Sequence, residues 1–291
     1  MMEMRRVRGL CAPALVGMLL AACGGGGGEE AASEEGGAPE AGAVTEHPVP
    51  AETAGNIGGT VRFTGTPPAP EPLDMSDEPT CQEAHQGQPV KRVAVVGPDG
   101  GLANVFVYVK EGLDASLQFP AGEAVVLDQV NCEYTPHVVG LTAGQQLTVR
   151  NSDSFLHNIN ATPSENRGFN RSQPNQGMEF QTAFAEPEVM IPVRCDVHGW
   201  MEAYIGVTSH PYHAVSAADG SFTLDRLPPG NYVVEAWHER FGTQTQNVTV
   251  ATGQTAELTF TFDAANAARV VPMGPALVVD HATGTLKRVS Q

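Results

Sequence analysis

The amino-acid sequence predicts an all-β fold built from two sandwiches. After residue 56 the chain consists of short runs of β-branched and aromatic residues, broken repeatedly by Gly, Pro and Asn. No segment keeps a 3.6-residue apolar period over a dozen positions, which argues against a helical bundle. The 32 Gly and 22 Pro in 291 residues favour many turns. The number of strand-like runs calls for two sandwiches rather than one.

The predicted strands are runs of four to six residues that are mostly apolar or β-branched. In chain order they cover residues 60–63, 93–96, 105–109, 124–127, 146–150, 189–193, 203–207, 221–224, 232–237, 246–250 and 257–262.

Residues 1–22 read as an export signal, with a basic start and an apolar run too short to span a membrane. The run ends Leu20-Ala21-Ala22-Cys23, which resembles the lipobox of bacterial lipoproteins. The resemblance implies that Cys23 carries lipid and that the protein is exported and anchored to a bacterial membrane, facing the periplasm or the cell exterior. An ordinary secretory signal that contains a cysteine is the alternative.

Residues 23–56 are rich in Gly, Ala, Pro and Glu and almost free of large apolar side chains. Such a segment cannot bury enough surface to offset the entropy lost on ordering, so we expect a disordered tether. The formal net charge of the chain is −17. Nucleic-acid binding needs clustered Lys and Arg, so no nucleic-acid partner is expected, and any partner steered by charge is basic.

A candidate metal site follows the predicted strand 189–193. Cys195, His198 and Met201 offer a thiolate, an imidazole and a thioether within seven residues, and His157 follows an earlier predicted strand. One thiolate, two imidazoles and a long axial thioether form the ligand set of blue-copper sites. The sequence therefore predicts one mononuclear copper site from His157, Cys195, His198 and Met201.

Residues 124–207 resemble the plastocyanin-like cupredoxins. The resemblance rests on Tyr134-Thr135-Pro136, on a strand ending in Asn151, on the His157-Asn158 pair and on the Cys195 ligand loop. It implies a Greek-key sandwich whose copper transfers single electrons to and from a redox partner protein, so an electron carrier rather than an enzyme is expected. Asn158 and Asp196 flank two ligands and are predicted to support them.

The spacing between His198 and Met201 is shorter than in most plastocyanin-like loops and closer to that of the copper domain of cytochrome oxidase subunit II. The fourth ligand therefore remains open between Met201 and the adjacent Glu202, which would give a more tetragonal site. Two other uses of Cys195 also remain open. One is a structural zinc site formed by Cys81, His85, Cys195 and His198, and the other is a cysteine nucleophile with a histidine base.

The remaining cysteines follow from these assignments. Cys11 is lost with the signal peptide, Cys23 carries lipid and Cys195 binds metal, which leaves Cys81 and Cys132. In an oxidising compartment we expect these two to form a disulfide, worth on the order of 3–4 kcal/mol in the chain-entropy model.

Residues 208–263 resemble the carboxypeptidase regulatory-like domain, a transthyretin-type sandwich. The resemblance rests on Asp219-Gly220-Ser221-Phe222 and on the turn from Leu227 to Tyr232. Gly220 in the first motif and Gly230 in the second permit positive φ angles. The simplest division places the cupredoxin region at 57–207. In the alternative, residues 57–112 join 208–263 in one discontinuous sandwich, because residues 57–61 and 103–107 resemble the opening strands of that family. Residues 264–291 form a tail with no pattern that we can place.

The leading functional expectation is an exported, lipid-anchored copper protein that transfers single electrons. Two alternatives stay open. One is a lipoprotein that binds or sequesters copper without electron transfer, and the other is a surface module that binds carbohydrate or protein.

Overall fold

A computed structural model describes residues 47–85, 89–266, 277–280 and 285–288, and these residues form almost only β-strands. The all-β sandwich prediction is confirmed. The predicted signal peptide, Cys23 and the tether up to residue 46 lie outside the described residues. In the part of the chain that the structure describes, no helix is long and apolar enough to cross a membrane.

One sandwich, which we call the framing sandwich, consists of two sheets with the orders β13-β1-β16 and β12-β2-β14-β15. Its strands are β1 (Gly55–Thr64), β2 (Phe106–Glu111), β12 (His213–Val215), β13 (Ser221–Leu227), β14 (Gly230–His238), β15 (Gly242–Val250) and β16 (Thr255–Asp263). Buried and exposed residues alternate along β13 and β16 of the first sheet, and Tyr232, Val234 and Ala236 on β14 of the second sheet are buried at every second position, so each sheet presents an apolar face. These faces meet in a core that includes Ile57, Val61, Val234 and Phe260.

The other sandwich, which we call the site sandwich, has sheets with the orders β5-β11-β10-β7-β8 and β4-β3-β6-β9. Its strands are β3 (Val125–Val130), β4 (Glu133–Thr135), β5 (Val138–Thr142), β6 (Leu147–Asn151), β7 (His157–Ala161), β8 (Phe169–Gln173), β9 (Glu179–Thr182), β10 (Glu188–Arg194) and β11 (Glu202–Thr208). β3 runs parallel to β6, and β5 runs parallel to β11. A second core that includes Leu127, Val149, Ile159, Ile191 and Ile205 lies between the sheets.

The framing sandwich is discontinuous in sequence. β1 pairs with β13 and with β16, and β2 pairs with β12 and β14. This is the strand pairing that the discontinuous arrangement requires. The segment between β1 and β2 is itself divided, because Leu73, Met75 and Cys81 lie in the core of the site sandwich. Cys81 lies on the short helix α1 (Pro79–Ala84).

The structure corrects the end of the predicted tether. Residues 47–56 are packed against the framing sandwich, with Val49 and Ala54 buried and β1 already begun at Gly55. The Arg226 guanidinium donates a hydrogen bond to the carbonyl of Val49. Composition alone misplaces this boundary because the segment is held largely by backbone hydrogen bonds, such as those from Gly253 to Ala54 and from Asn56 to Gln254, which composition does not show.

Two local predictions also need correction. Residues 93–96 form no strand and make only an isolated bridge between Val96 and Leu102. Gly220 has a φ of 80°, as expected, but Gly230 does not have a positive φ angle. In the predicted tail, two further strands, β17 (Leu277–Asp280) and β18 (Thr285–Arg288), pair antiparallel.

Candidate metal centre

The start of one strand and one loop of the site sandwich carry the candidate ligands. His157 is the first residue of β7, and Cys195 directly follows β10. His198 and Met201 lie in the loop from β10 to β11, where the Cys195 amide donates to the Met201 carbonyl at 3.1 Å and the Met201 amide donates to the His198 carbonyl at 2.9 Å. These two hydrogen bonds fold the loop back on itself, so that the backbones of Cys195, His198 and Met201 lie close together.

The structure brings three of the predicted ligands together. Donor atoms of His157, Cys195 and His198 lie within 4.8 Å of one another, and all three residues are buried. The Nδ1 atoms of the two histidines are 2.9 Å apart, and the Cys195 Sγ is 3.8 Å from the His198 Nδ1. Two imidazole nitrogens and a sulfur that converge in this way fit a copper or zinc ion.

The Cys195 sulfur is prepared to bind metal as a thiolate. Burial by itself raises the pKa of a thiol, but hydrogen bonds from the rings of His157 and His198 and from backbone amides outweigh burial and lower the pKa to about 6. The amides of Asn158 and His198 are 3.5 Å and 3.4 Å from the sulfur. The thiolate, which is the metal-binding form, therefore predominates at neutral pH.

Asp153, which sequence reasoning missed, fixes the orientation of His157. Its Oδ2 lies 2.7 Å from the His157 Nε2, and its two oxygens also accept the backbone N–H groups of Asn131 and Cys132. Burial lowers the pKa of His157, yet the Asp153 carboxylate and the Cys195 sulfur outweigh it and raise the pKa above its usual value. A carboxylate on the second ring nitrogen is the common support of a histidine ligand. Its position four residues before His157 gives no signal in the sequence, because the segment between β6 and β7 is not helical.

Asn158 and Asp196, predicted as supporting residues, are joined directly. The Asp196 amide donates to the Asn158 side-chain oxygen, and the Asn158 amide group is 3.3 Å from the Asp196 carboxylate. Asn160 and Asn170 donate to the same carboxylate at 3.1 Å and 2.7 Å. Three asparagines on β7 and β8 thus hold the loop that contains Cys195.

Met201 and Glu202 face different surroundings. Met201 is 1% exposed and lies in the core of the site sandwich. Burial raises the pKa of the Glu202 carboxyl, and the charge of Glu239 raises it further, while His137 opposes the rise. Among the described residues, Glu202 does not belong to the cluster of metal-binding side chains that contains Cys195. These surroundings argue against Glu202 as the fourth ligand.

Cys81 and Cys132 form the predicted disulfide, with a Cα–Cα distance of 5.6 Å. The zinc site that would use Cys81 with Cys195 is therefore wrong, because the Cys81 sulfur is already bonded. The disulfide lies beside the metal centre. Trp200 donates its indole N–H to the Cys132 carbonyl at 3.0 Å, and the Trp200 ring lies 5.3 Å from the His198 ring.

Comparisons with known proteins add one family match. The family model of the carboxypeptidase regulatory-like domain matches residues 202–263, which span β11 to β16. A search of curated proteins finds no match. Residues 202–263 are therefore similar to that domain family, in line with the resemblance seen in the sequence, although β1 and β2 of the framing sandwich lie outside the match.

Solved structures with partial similarity are copper proteins. A Cu-containing nitrite reductase (NirK) from Thermus scotoductus SA-01 has 17% identity and a TM-score of 0.28, over 34% of this chain and 25% of that one. A purple cupredoxin from Nitrosopumilus maritimus has 23% identity and a TM-score of 0.26, over 30% and 100%. A methionine-to-alanine mutant of amicyanin in the Cu(I) form has 16% identity and a TM-score of 0.27, over 35% and 98%. This chain thus spans about a quarter of the nitrite reductase, and the site has to be argued from its own geometry.

Proposed function

We propose that the protein binds one copper ion through His157, Cys195 and His198, with Met201 as the axial ligand, and transfers single electrons. The observation that carries this proposal is the convergence of two imidazole nitrogens and a buried, low-pKa thiol within 4.8 Å. Such a set of soft and borderline donors suits copper. The order of these residues in the sequence, which resembles that of the cupredoxins, supports the same choice.

Copper, when bound, supplies the one-electron chemistry. The protein supplies a fixed set of donors: Asp153 orients the His157 ring, and the asparagines around Asp196 hold the Cys195 loop. Side chains held in this way change little when the charge on the metal changes. The surrounding core excludes water, and this burial together with the hydrogen bonds to the sulfur tunes the reduction potential.

The test is a titration of the metal-free protein with Cu(II), followed by visible spectroscopy and voltammetry. We expect one copper per chain, a thiolate-to-copper charge-transfer band and reversible reduction. Cys195→Ser should abolish the band, whereas His85→Gln, which changes a histidine outside the ligand cluster, should leave it intact. A colourless protein that holds zinc as tightly as copper would contradict the proposal.

Copper sequestration without electron transfer is a second candidate function, and the burial of the ligands favours it. His157, Cys195, His198 and Met201 are each at most 2% exposed. A metal so enclosed exchanges slowly with solvent. Electron self-exchange measured on mixtures of the reduced and oxidised protein separates the two functions, because a carrier exchanges electrons rapidly and a sequestering protein does not.

The same proposal includes a location at a membrane and a basic redox partner. The Cys23 lipid would hold the protein at a bacterial membrane surface, facing the periplasm or the exterior, and the tether would let the folded part reach a redox protein. With a net charge of −17, the chain attracts a basic partner. Mass spectrometry of the membrane fraction tests the lipid, because a diacylated Cys23 should be the new N-terminus.

A further inference from the structure

The His157 ring has a second side that the candidate copper site does not use. Its Nδ1 faces His198, while its Nε2 faces Asp153 at 2.7 Å. The same Asp153 oxygen accepts the backbone N–H of Cys132 at 2.9 Å. Donor atoms of Cys132, Asp153 and His157 lie within 4.8 Å of one another, and all three residues are buried. A cysteine sulfur, a carboxylate and an imidazole are therefore grouped behind the first site.

The disulfide masks this group, because the Cys132 sulfur is bonded to Cys81. We propose that opening the Cys81–Cys132 disulfide creates a second metal site, formed by Cys132, Asp153 and His157, for a zinc-like divalent ion. One thiolate, one carboxylate and one imidazole are ordinary zinc ligands, and three protein ligands with an open fourth position are a common zinc arrangement. This site does not depend on the proposed copper function, because it requires only the His157 ring from the first site.

The opening step balances as a thiol–disulfide exchange. An external dithiol attacks the Cys81–Cys132 bond and forms its own disulfide, and it provides the two electrons and two protons that convert the pair into thiols. The divalent ion then displaces the proton from the Cys132 thiol, and the His157 proton that faces Asp153 moves from Nε2 to Nδ1, so that the ring stays neutral. The ion binds the thiolate, the Asp153 carboxylate and the freed His157 Nε2. The proton released from Cys132 goes to solvent.

The group stays in place without the disulfide because the backbone holds it. Asn131 and Cys132 both have positive φ angles, 54° and 57°, which are uncommon for residues other than glycine. The Asp153 carboxylate accepts both of their amide groups, and Trp200 donates to the Cys132 carbonyl. The backbone of Asn131 and Cys132 is thus fixed by three hydrogen bonds. Cys81 lies on α1 and does not belong to the cluster.

The two cysteines provide a matched pair of variants. In a chain whose first site is removed by Cys195→Ser and His198→Ala, we compare Cys81→Ser with Cys132→Ser. Both variants open the disulfide and leave one free thiol, but only Cys81→Ser leaves the thiol next to Asp153 and His157. Zinc alone is the probe, and bound zinc is measured by equilibrium dialysis with elemental analysis. Cooperative thermal unfolding checks that both variants fold.

We expect the Cys81→Ser chain to bind one zinc per chain, roughly tenfold or more tightly than the Cys132→Ser chain, and Asp153→Asn to remove the difference. Equal zinc binding by the two cysteine variants would overturn the proposal.

If either variant fails to fold, alkylation of the full chain tests the proposal instead. The chain is reduced with a dithiol, freed of it by gel filtration and alkylated with and without zinc. Protection of Cys132 but not Cys81 supports the site, and equal modification of both overturns it.

Discussion

Asp153 is the residue that connects the candidate metal centre to the backbone of the neighbouring turn. Its carboxylate contacts the His157 ring on one side and the amides of Asn131 and Cys132 on the other. Burial raises the pKa of Asp153, but these hydrogen bonds outweigh burial and lower the pKa below its usual value. The carboxylate is therefore charged at neutral pH and stabilises the His157 orientation.

Replacing Asp153 by Asn should weaken the metal site. Asparagine keeps the size of the side chain but removes the charge that orients the ring, so we expect a loss of roughly 10–100-fold in copper affinity. Competition with a chelator of known affinity measures it. Asp128→Asn is the control, because that carboxylate bonds to Ser152 and does not touch the ligand histidines. An unchanged affinity in Asp153→Asn would show that His157 is oriented by packing alone.

Two conservative changes decide which residue is the fourth ligand. Met201→Leu should shift the visible spectrum and raise the reduction potential, because removing a weak axial donor disfavours the oxidised metal. Glu202→Gln should leave both unchanged, because Glu202 interacts with Glu239 and His137 instead. The measurements are absorption spectroscopy and voltammetry of the copper-loaded variants. The reverse pattern would assign the axial position to Glu202.

The sequence predicts the candidate ligands that the structure brings together better than it predicts the residues that support them. His157, Cys195 and His198 were predictable because their donor atoms and their order carry the chemistry. Asp153 and Trp200 act through partners that only the tertiary structure brings near them, such as the Cys132 backbone.

At the scale of elements, several of the missed strands consist mostly of polar residues. β8 lies at the edge of its sheet, and three of its five residues are exposed. An edge strand needs no apolar run, so periodicity gives no signal for it. The opposite error occurred at residues 93–96, where an apolar β-branched run forms no ladder. Whether such a segment forms a strand depends on the availability of a pairing partner and not on its local composition.

The turn between β14 and β15 is stabilised by a buried neutral histidine. His238 is 1% exposed, and its Nδ1 accepts the amides of Arg240 and Phe241 at 3.0 Å and 3.3 Å. Burial lowers the pKa of His238 to about 4. The unfolded chain binds this proton near pH 6.5. The stabilisation is therefore fully present above pH 6.5 and is lost as the pH falls from 6.5 towards 4.

Replacing His238 by Asn should flatten the loss of stability in acid. Asparagine keeps an acceptor for the turn but does not titrate, so the slope of the unfolding free energy should fall by up to about 1.4 kcal/mol per pH unit between pH 6.5 and 4. Denaturant unfolding across this range measures the slope. An unchanged slope would mean that His238 is already protonated in the folded chain.

At the scale of the whole molecule, the framing sandwich is built from strands that lie on both sides of the site sandwich in the sequence. The sequence left two arrangements open because motifs show which family a strand resembles but not which strands pair. β1 lies between β13 and β16, and β2 lies between β12 and β14. Each sheet therefore receives an interior strand from before the site sandwich. The segment that matches the family model, residues 202–263, contains neither of these strands.

Residues 202–263 should consequently not fold alone. Without β1 and β2, both sheets lose an interior strand and the core loses buried side chains such as Ile57, Val61 and Val107. We expect the isolated fragment to show no cooperative thermal transition and little dispersion of its amide chemical shifts. Residues 47–266, which contain every strand of both sandwiches, should unfold cooperatively under the same conditions. A cooperative transition in the fragment would show that its five framing strands can close a core without the interior strands, and that the site sandwich is joined to an independent domain.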